Sequence, residues 1–257
     1  MSDPKSYSPK IGIIGGMGPA ATCLLFEKII RMTQVERDQD HLHIIINNDP
    51  SIPDRTAAIL GRGPSPVEAI IRSANTLVAA GADHLLMPCM TSHAYYAAIQ
   101  EQVEVPIVNA IELIRREIVH ALGDTGRVGL LATDGSLKGG VYSALESSCE
   151  INTPLGDGQT RLMDAIYGPC GIKTIGANAT AVETILELIS SLHARGAGLV
   201  IAGCTEISVA MQGRTADVPV VDPLDLLAGT AIHIGTGGDW RDVPSPSALN
   251  GKHGEVA

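Results

Sequence analysis

Two cysteines stand where this chain could do chemistry. Cys89 closes the apolar run DHLLMP and is followed by Thr91, Ser92 and His93, while Cys204 closes GLVIAG and is followed by Thr205 and Glu206. Each falls where a strand should open into a loop and a helix begin. Backbone N–H groups at a helix start favour a nearby thiolate and also bind carboxylates. An isolated cysteine is ordinarily a small buried hydrophobe, and that reading suits Cys23, Cys149 and Cys170. The matched placement of Cys89 and Cys204, each with a threonine one or two residues on, points to function instead. Two equivalent acid/base groups on opposite faces of a carbon can remove a proton from one face and return one to the other, which is racemisation. Hydrolysis or group transfer calls for one nucleophile and one base, an asymmetric pair.

The elements that must position them alternate. KIGIIG (10–15), HIIINN (43–48), DHLLMP (83–88) and PIVNA (106–110) read as buried strands, and 19–36 and 66–80 have helical apolar spacing. This rhythm predicts parallel sheets covered on both faces. The pattern is then repeated. Ile11–Gly15 matches Val128–Ala132 at an offset of 117, Gly81 to Cys89 matches Gly196 to Cys204 at 115, and Val105–Val108 matches Val218–Val221 at 113. Three matches in order imply an α/β fold of two similar lobes, 10–115 and 116–235, each a parallel sheet flanked by helices. The lobes should be related by a pseudo-twofold axis, with the site between them at the carboxyl ends of the strands. The Gly-, Pro- and Ser-rich stretch 236–257 reads as a mobile tail.

Bulk properties narrow the partners. The 257 residues are 45% hydrophobic and only 3% aromatic, with a formal net charge of −10. An acidic surface repels nucleic acid and anionic lipid. The polar start MSDPKSYSPK and the lack of a run of about 18 apolar residues predict a cytoplasmic protein off the membrane. Five scattered cysteines without a CxxC pair fit neither a disulfide framework nor a zinc site. His41 and His43 lack a third ligand, so no metal is expected. The loop GIIGGMG (12–18) has GxxGGxG spacing rather than the dinucleotide GxGxxG, although Asp49 does close the second strand. Its glycines read as allowing close backbone approach above the pocket, with loops 16–20 and 49–66 closing over it.

Several motifs together resemble the aspartate/glutamate racemase superfamily, and specifically its aspartate racemase branch, over about residues 10 to 230. They are GIIGGMGP (12–19), DQDH (38–41), PDRT (53–56), GAD with PCMTSH (81–93), LLATDGS (130–136), AIYGPCGIK (165–173) and GCTEI (203–207). The resemblance implies a racemase that works without pyridoxal phosphate or any other cofactor, acts on an amino acid and forms homodimers. Cys89 and Cys204 would be its acid/base pair, and Arg55 and Lys173 would hold the substrate carboxylates. Thr91 and Thr205 would be hydroxyls beside the thiols, and Ser136 stands where the family usually has Thr. Glu206 marks the branch, since glutamate racemases typically carry His there. Met17 of the glycine loop and Met90 complete the expected substrate-contacting set. The residues themselves agree in type, because a diacid needs cations and Arg grips a carboxylate with two parallel hydrogen bonds. Without the resemblance, Arg55 and Lys173 read as surface charges, and His93 as either a catalytic neighbour of Cys89 or a structural one.

Met90 departs from the family pattern, which has Asn directly after the first cysteine. A thioether cannot donate the amide's hydrogen bond to an α-carboxylate, a loss of roughly 1.5–3 kcal/mol. This favours another substrate, such as a neutral amino acid, a hydantoin or maleate, whereas Arg55 and Lys173 favour a diacid. A third reading is a silent amino-acid-binding protein.

Overall fold

The computed structural model describes residues 8–123 and 126–243. The first half runs β1 (Ile11–Gly15), α1 (Pro19–Met32), β2 (Ile44–Asn48), α2 (Arg55–Ile59), α3 (Val67–Ala79), β3 (His84–Leu86), α4 (Tyr96–Gln100) and α5 (Ala110–Leu122). The second runs β4 (Gly126–Leu131), α6 (Asp134–Lys138), β5 (Cys149–Asn152), α7 (Gly158–Tyr167), α8 (Ile172–Ile175), α9 (Ala179–Ala194), β6 (Leu199–Ala202), α10 (Thr205–Met211), β7 (Val220–Val221) and α11 (Pro223–Gly235). Strands form two parallel sheets, ordered β2-β1-β3 and β5-β4-β6-β7. Every residue of β1 and of β6 is buried, as strands covered on both faces require.

The pairing register carries the duplication. Ile11 pairs with His84 as Val128 pairs with Leu199, and Leu85 bridges to Ile107 as Val200 pairs with Val220. These are the three offsets read from the sequence. A fourth correspondence was not legible there: Ile11 faces Ile44 as Val128 faces Ile151. Gly12 and Gly129 occupy the same place, and an added Cβ would meet Leu85 Cδ2 at 2.5 Å and Val200 Cγ2 at 2.9 Å, respectively. Close strand packing therefore selects glycine twice. The helices after the third match start alike too, with Asn109 capping α5 and Asp222 capping α11 through side-chain oxygens that accept backbone N–H groups.

One apolar cluster joins the halves, drawing Ile11 and Ile13 from β1, Val128 and Leu130 from β4, and Ile114 and Leu227 from α5 and α11. α11 packs against both α1 and α5, so the last long helix rests on helices of the first half. Trp240 extends this cluster at 7% exposure, with the guanidinium carbons of Arg116 and Arg241 at 6.0 and 5.1 Å from its ring centroids. The segment expected as a mobile tail thus starts with packed structure, while residues 244–257 lie outside the described residues. A second correction concerns Cys23 and Cys170, which are exposed rather than buried. Cys23 lies off the buried face of α1 (Ala21, Thr22, Leu24, Leu25, Ile29), and Cys170 lies in the turn before α8. Among the described residues, no helix is long and apolar enough to cross a membrane.

Candidate active site

Both thiols lie just past the carboxyl end of a strand, β3 for Cys89 and β6 for Cys204, at the residue that opens a helical turn. Cys89 precedes a 3₁₀ turn over Met90–Tyr95, and Cys204 precedes α10. They are 6% and 5% exposed, respectively. The Cys89 carbonyl accepts a hydrogen bond from Ser92 Oγ at 2.6 Å and lies 3.1 Å from His93 Nδ1. His93 Nε2 accepts the Ala110 N–H at 3.2 Å, which leaves the ring proton on Nδ1 to donate to Cys89. Burial lowers the His93 pKa to about 4. His93 is therefore a neutral strut between the Cys89 turn and α5.

Cys204 has different surroundings. Its Sγ donates to Glu206 Oε2 at 2.8 Å, and Glu206 Oε1 pairs with Lys173 Nζ at 2.5 Å. Burial, and then the Glu206 charge, hold the Cys204 thiol well above its ordinary pKa, with Lys173 offsetting part of the effect. Burial also works against the Lys173 charge, but Glu206 and the nearby thiols outweigh it and raise its pKa. Lys173 is four-fifths buried at its side chain rather than a surface charge.

Arg55 is 7% exposed, which also corrects the surface reading. Its Nη1 donates to the carbonyls of Ile52 (3.2 Å) and Pro53 (3.1 Å), and Nη2 to that of Met17 (3.1 Å). Its buried Nε has no hydrogen-bond partner. Burial opposes its charge, yet the adjacent Cys89 and then Asp54 raise its pKa. The glycine loop closes over this group. Gly16, at φ 94°, would bring a Cβ to 2.3 Å from the Asp49 backbone, and a Cβ on Gly18 would lie 3.5 Å from Glu206 Oε1. Close approach of two loops explains the glycine spacing.

Four hydroxyls stitch the halves together beside the thiols. Thr91 Oγ1 lies 2.8 Å from Ser136 Oγ and 3.2 Å from Thr133 Oγ1, and Thr56 donates to Thr133 at 3.3 Å. Thr205 is buried at the first turn of α10. Tyr142, Tyr167 and Lys173 each lie within electrostatic reach of both thiols.

A family model for Asp/Glu/hydantoin racemases matches residues 14–231. The chain belongs to this family. As a member it is an isomerase, an amino-acid racemase. It is similar to the Bacillus subtilis broad specificity amino-acid racemase RacX, with 26% identity over 86% of this chain and 96% of that one. Its fold resembles the Picrophilus torridus aspartate racemase with a TM-score of 0.76 and 30% identity, covering 91% of this chain and 98% of the other. The Francisella tularensis glutamate racemase solved with D-glutamate shares the fold at a TM-score of 0.56 and 17% identity, over 96% of this chain and 82% of that one.

In this racemase the expected residues divide into groups. Cys89 and Arg55 meet on one side, Cys204, Glu206 and Lys173 on the other, and Thr91 and Ser136 in the hydroxyl network. Met17 offers its carbonyl to Arg55. Met90, 1% exposed, is part of the apolar cluster between the sheets. Among the described residues, no group of three or more His, Cys, Asp or Glu is placed to hold a metal. Sequence reasoning missed Tyr142, whose buried hydroxyl donates to the Gly203 carbonyl at 2.8 Å, directly before Cys204. It also missed Thr56, Thr133 and Tyr167, although Tyr167 lies within AIYGPCGIK.

Proposed function

We propose that this racemase interconverts L- and D-aspartate, with glutamate as the other acidic substrate, by proton transfer between Cys89 and Cys204. The observation that carries the reading is the pairing of each buried thiol with a buried cation from its own half, Arg55 beside Cys89 and Lys173 across Glu206 from Cys204. One substrate carboxylate takes the partnerless Nε of Arg55, and the second takes Lys173 by competing with Glu206. The sulfur on one face of Cα accepts the α-proton while the thiol on the other face donates, so the proton gained by the site balances the one given up. Cys204, held protonated by burial and Glu206, is the donor in the resting arrangement. Racemisation assays on Cys89→Ala and Cys204→Ala test this: each should lose turnover, and substantial turnover in either without added thiol contradicts it.

A second reading is a broader substrate range that includes neutral amino acids. Met90 favours it, because an apolar thioether replaces the amide that a carboxylate would use, and RacX, similar along nearly its whole length, is a broad specificity enzyme. The cytoplasm suits either reading, since the chemistry needs reduced thiols. A homodimer belongs to the same proposal: exposed Phe26, Ile30 and Ile46 form an apolar face that a second copy would cover.

A further inference from the structure

Tyr167 is the last residue of α7. Its hydroxyl donates to Asp54 Oδ2 at 3.0 Å and lies 3.2 Å from Thr56 Oγ1, both on the opposite half of the chain. Its ring faces Lys173, whose Nζ is 5.3 Å from the centroid. Asp54 is the cap of α2, and its Oδ1 accepts the Ala57 N–H at 2.6 Å. The Asp54 carboxylate is therefore divided between its own helix and Tyr167. The first residue of that helix is Arg55.

We propose that Tyr167 is a positioning residue for carboxylate binding: from the second lobe it fixes the Asp54 cap that aims Arg55, and its ring steadies Lys173. One side chain then sets both cations, and it can do so only when the lobes are together. This rests on Arg55 and Lys173 being the carboxylate clamp. Thr56 directs its own proton to Thr133, so the single phenol proton goes to the shorter and charged contact, the Asp54 carboxylate at 3.0 Å. Burial above all keeps that phenol protonated. A bond to an ionised acceptor is worth roughly twice a neutral one, and Lys173 gains a cation–π contact as well.

Tyr167→Phe keeps the ring and removes the donor. Its KM for aspartate should rise about tenfold in both directions with kcat within about twofold, because the lost contact supports bound substrate and transition state alike. Tyr167→Leu, which also removes the ring face from Lys173, should raise KM further. Asp54→Asn retains a capping side chain, and combining it with Tyr167→Phe should raise KM no more than the larger single effect. An unchanged KM in Tyr167→Phe, a loss of kcat alone, or additive effects in the double variant would overturn the proposal. Succinate, which has no amino group and cannot be racemised, gives a readout apart from turnover. Its calorimetric Kd should weaken about tenfold in Tyr167→Phe. Unaltered succinate affinity in that variant sinks the positioning role, whereas an inactive wild type that still binds succinate, and binds it less well in the variant, sinks only the racemase reading.

Discussion

His93 and Ser208 occupy matching points of the duplicated halves, each four residues after its cysteine, and each ties that turn to the start of the next long helix. His93 accepts the Ala110 N–H of α5, and Ser208 donates to Asp222, the cap of α11, at 2.6 Å. Equivalent thiols are thus anchored through unlike chemistry, a titratable ring in one half and a hydroxyl–carboxylate pair in the other.

The ring makes stability depend on pH. The folded pKa of His93 is about 4 against an ordinary 6.5, so unfolded chain binds the proton first as pH falls. The stabilisation is complete above pH 6.5 and is lost progressively toward pH 4. Urea titrations at pH 7.0 and 4.5 should show His93 accounting for about 2–3 kcal/mol of lost stability. His93→Gln should be less stable at pH 7 and should flatten that slope; an equally steep slope in the variant would place the effect elsewhere.

Asp222 joins three helices, accepting from Ser208 of α10 and from its own helix at Leu224 N, and pairing with Lys28 of α1 at 3.1 Å. Asp222→Ala removes a cap and a hydrogen bond together, and should cost about 2 kcal/mol in thermal unfolding. A loss below about 0.5 kcal/mol would mean that solvent replaces all three contacts.

The duplication was legible because strand register preserves sequence phrases: the offsets 117, 115 and 113 reappear as paired residues. The thiols were legible because both follow such phrases. Arg55 and Lys173 were legible only through resemblance, since nothing local distinguishes a buried cation from a surface one. Tyr167 and Tyr142 were hidden because their partners lie 113 and 61 residues away. No periodicity encodes such contacts. The unlike surroundings of the thiols were half legible: Thr91 stands in the first half where Glu206 stands in the second, but the pairing of Glu206 with Lys173, 33 residues away, was not.

Glu206 should act on the Cys204 proton rather than grip substrate. Its charge and its hydrogen bond both raise the thiol pKa, so Glu206→Gln should lower it. Thiolate absorbance at 240 nm, compared with the same variant carrying Cys204→Ser, should show a transition at lower pH than in the wild type. A transition at the same or higher pH would remove Glu206 from that role.

Met90→Asn should strengthen aspartate turnover by restoring an amide donor, within the roughly tenfold to hundredfold range of one charge-assisted bond. Unchanged kinetics for aspartate and for neutral amino acids would mark the position as silent in specificity.

The most direct test is to incubate the reduced protein with L-aspartate in D₂O, without added cofactor, following the α-proton by NMR and the optical rotation together. Transfer between two thiols requires that rotation fall to zero and that deuterium enter the D-enantiomer before it appears in the remaining L-aspartate. Deuterium entering both enantiomers equally from the first turnovers would mean a single base. No exchange with aspartate or glutamate would contradict the acidic-substrate reading, and no exchange with any amino acid would contradict proton transfer by Cys89 and Cys204 altogether.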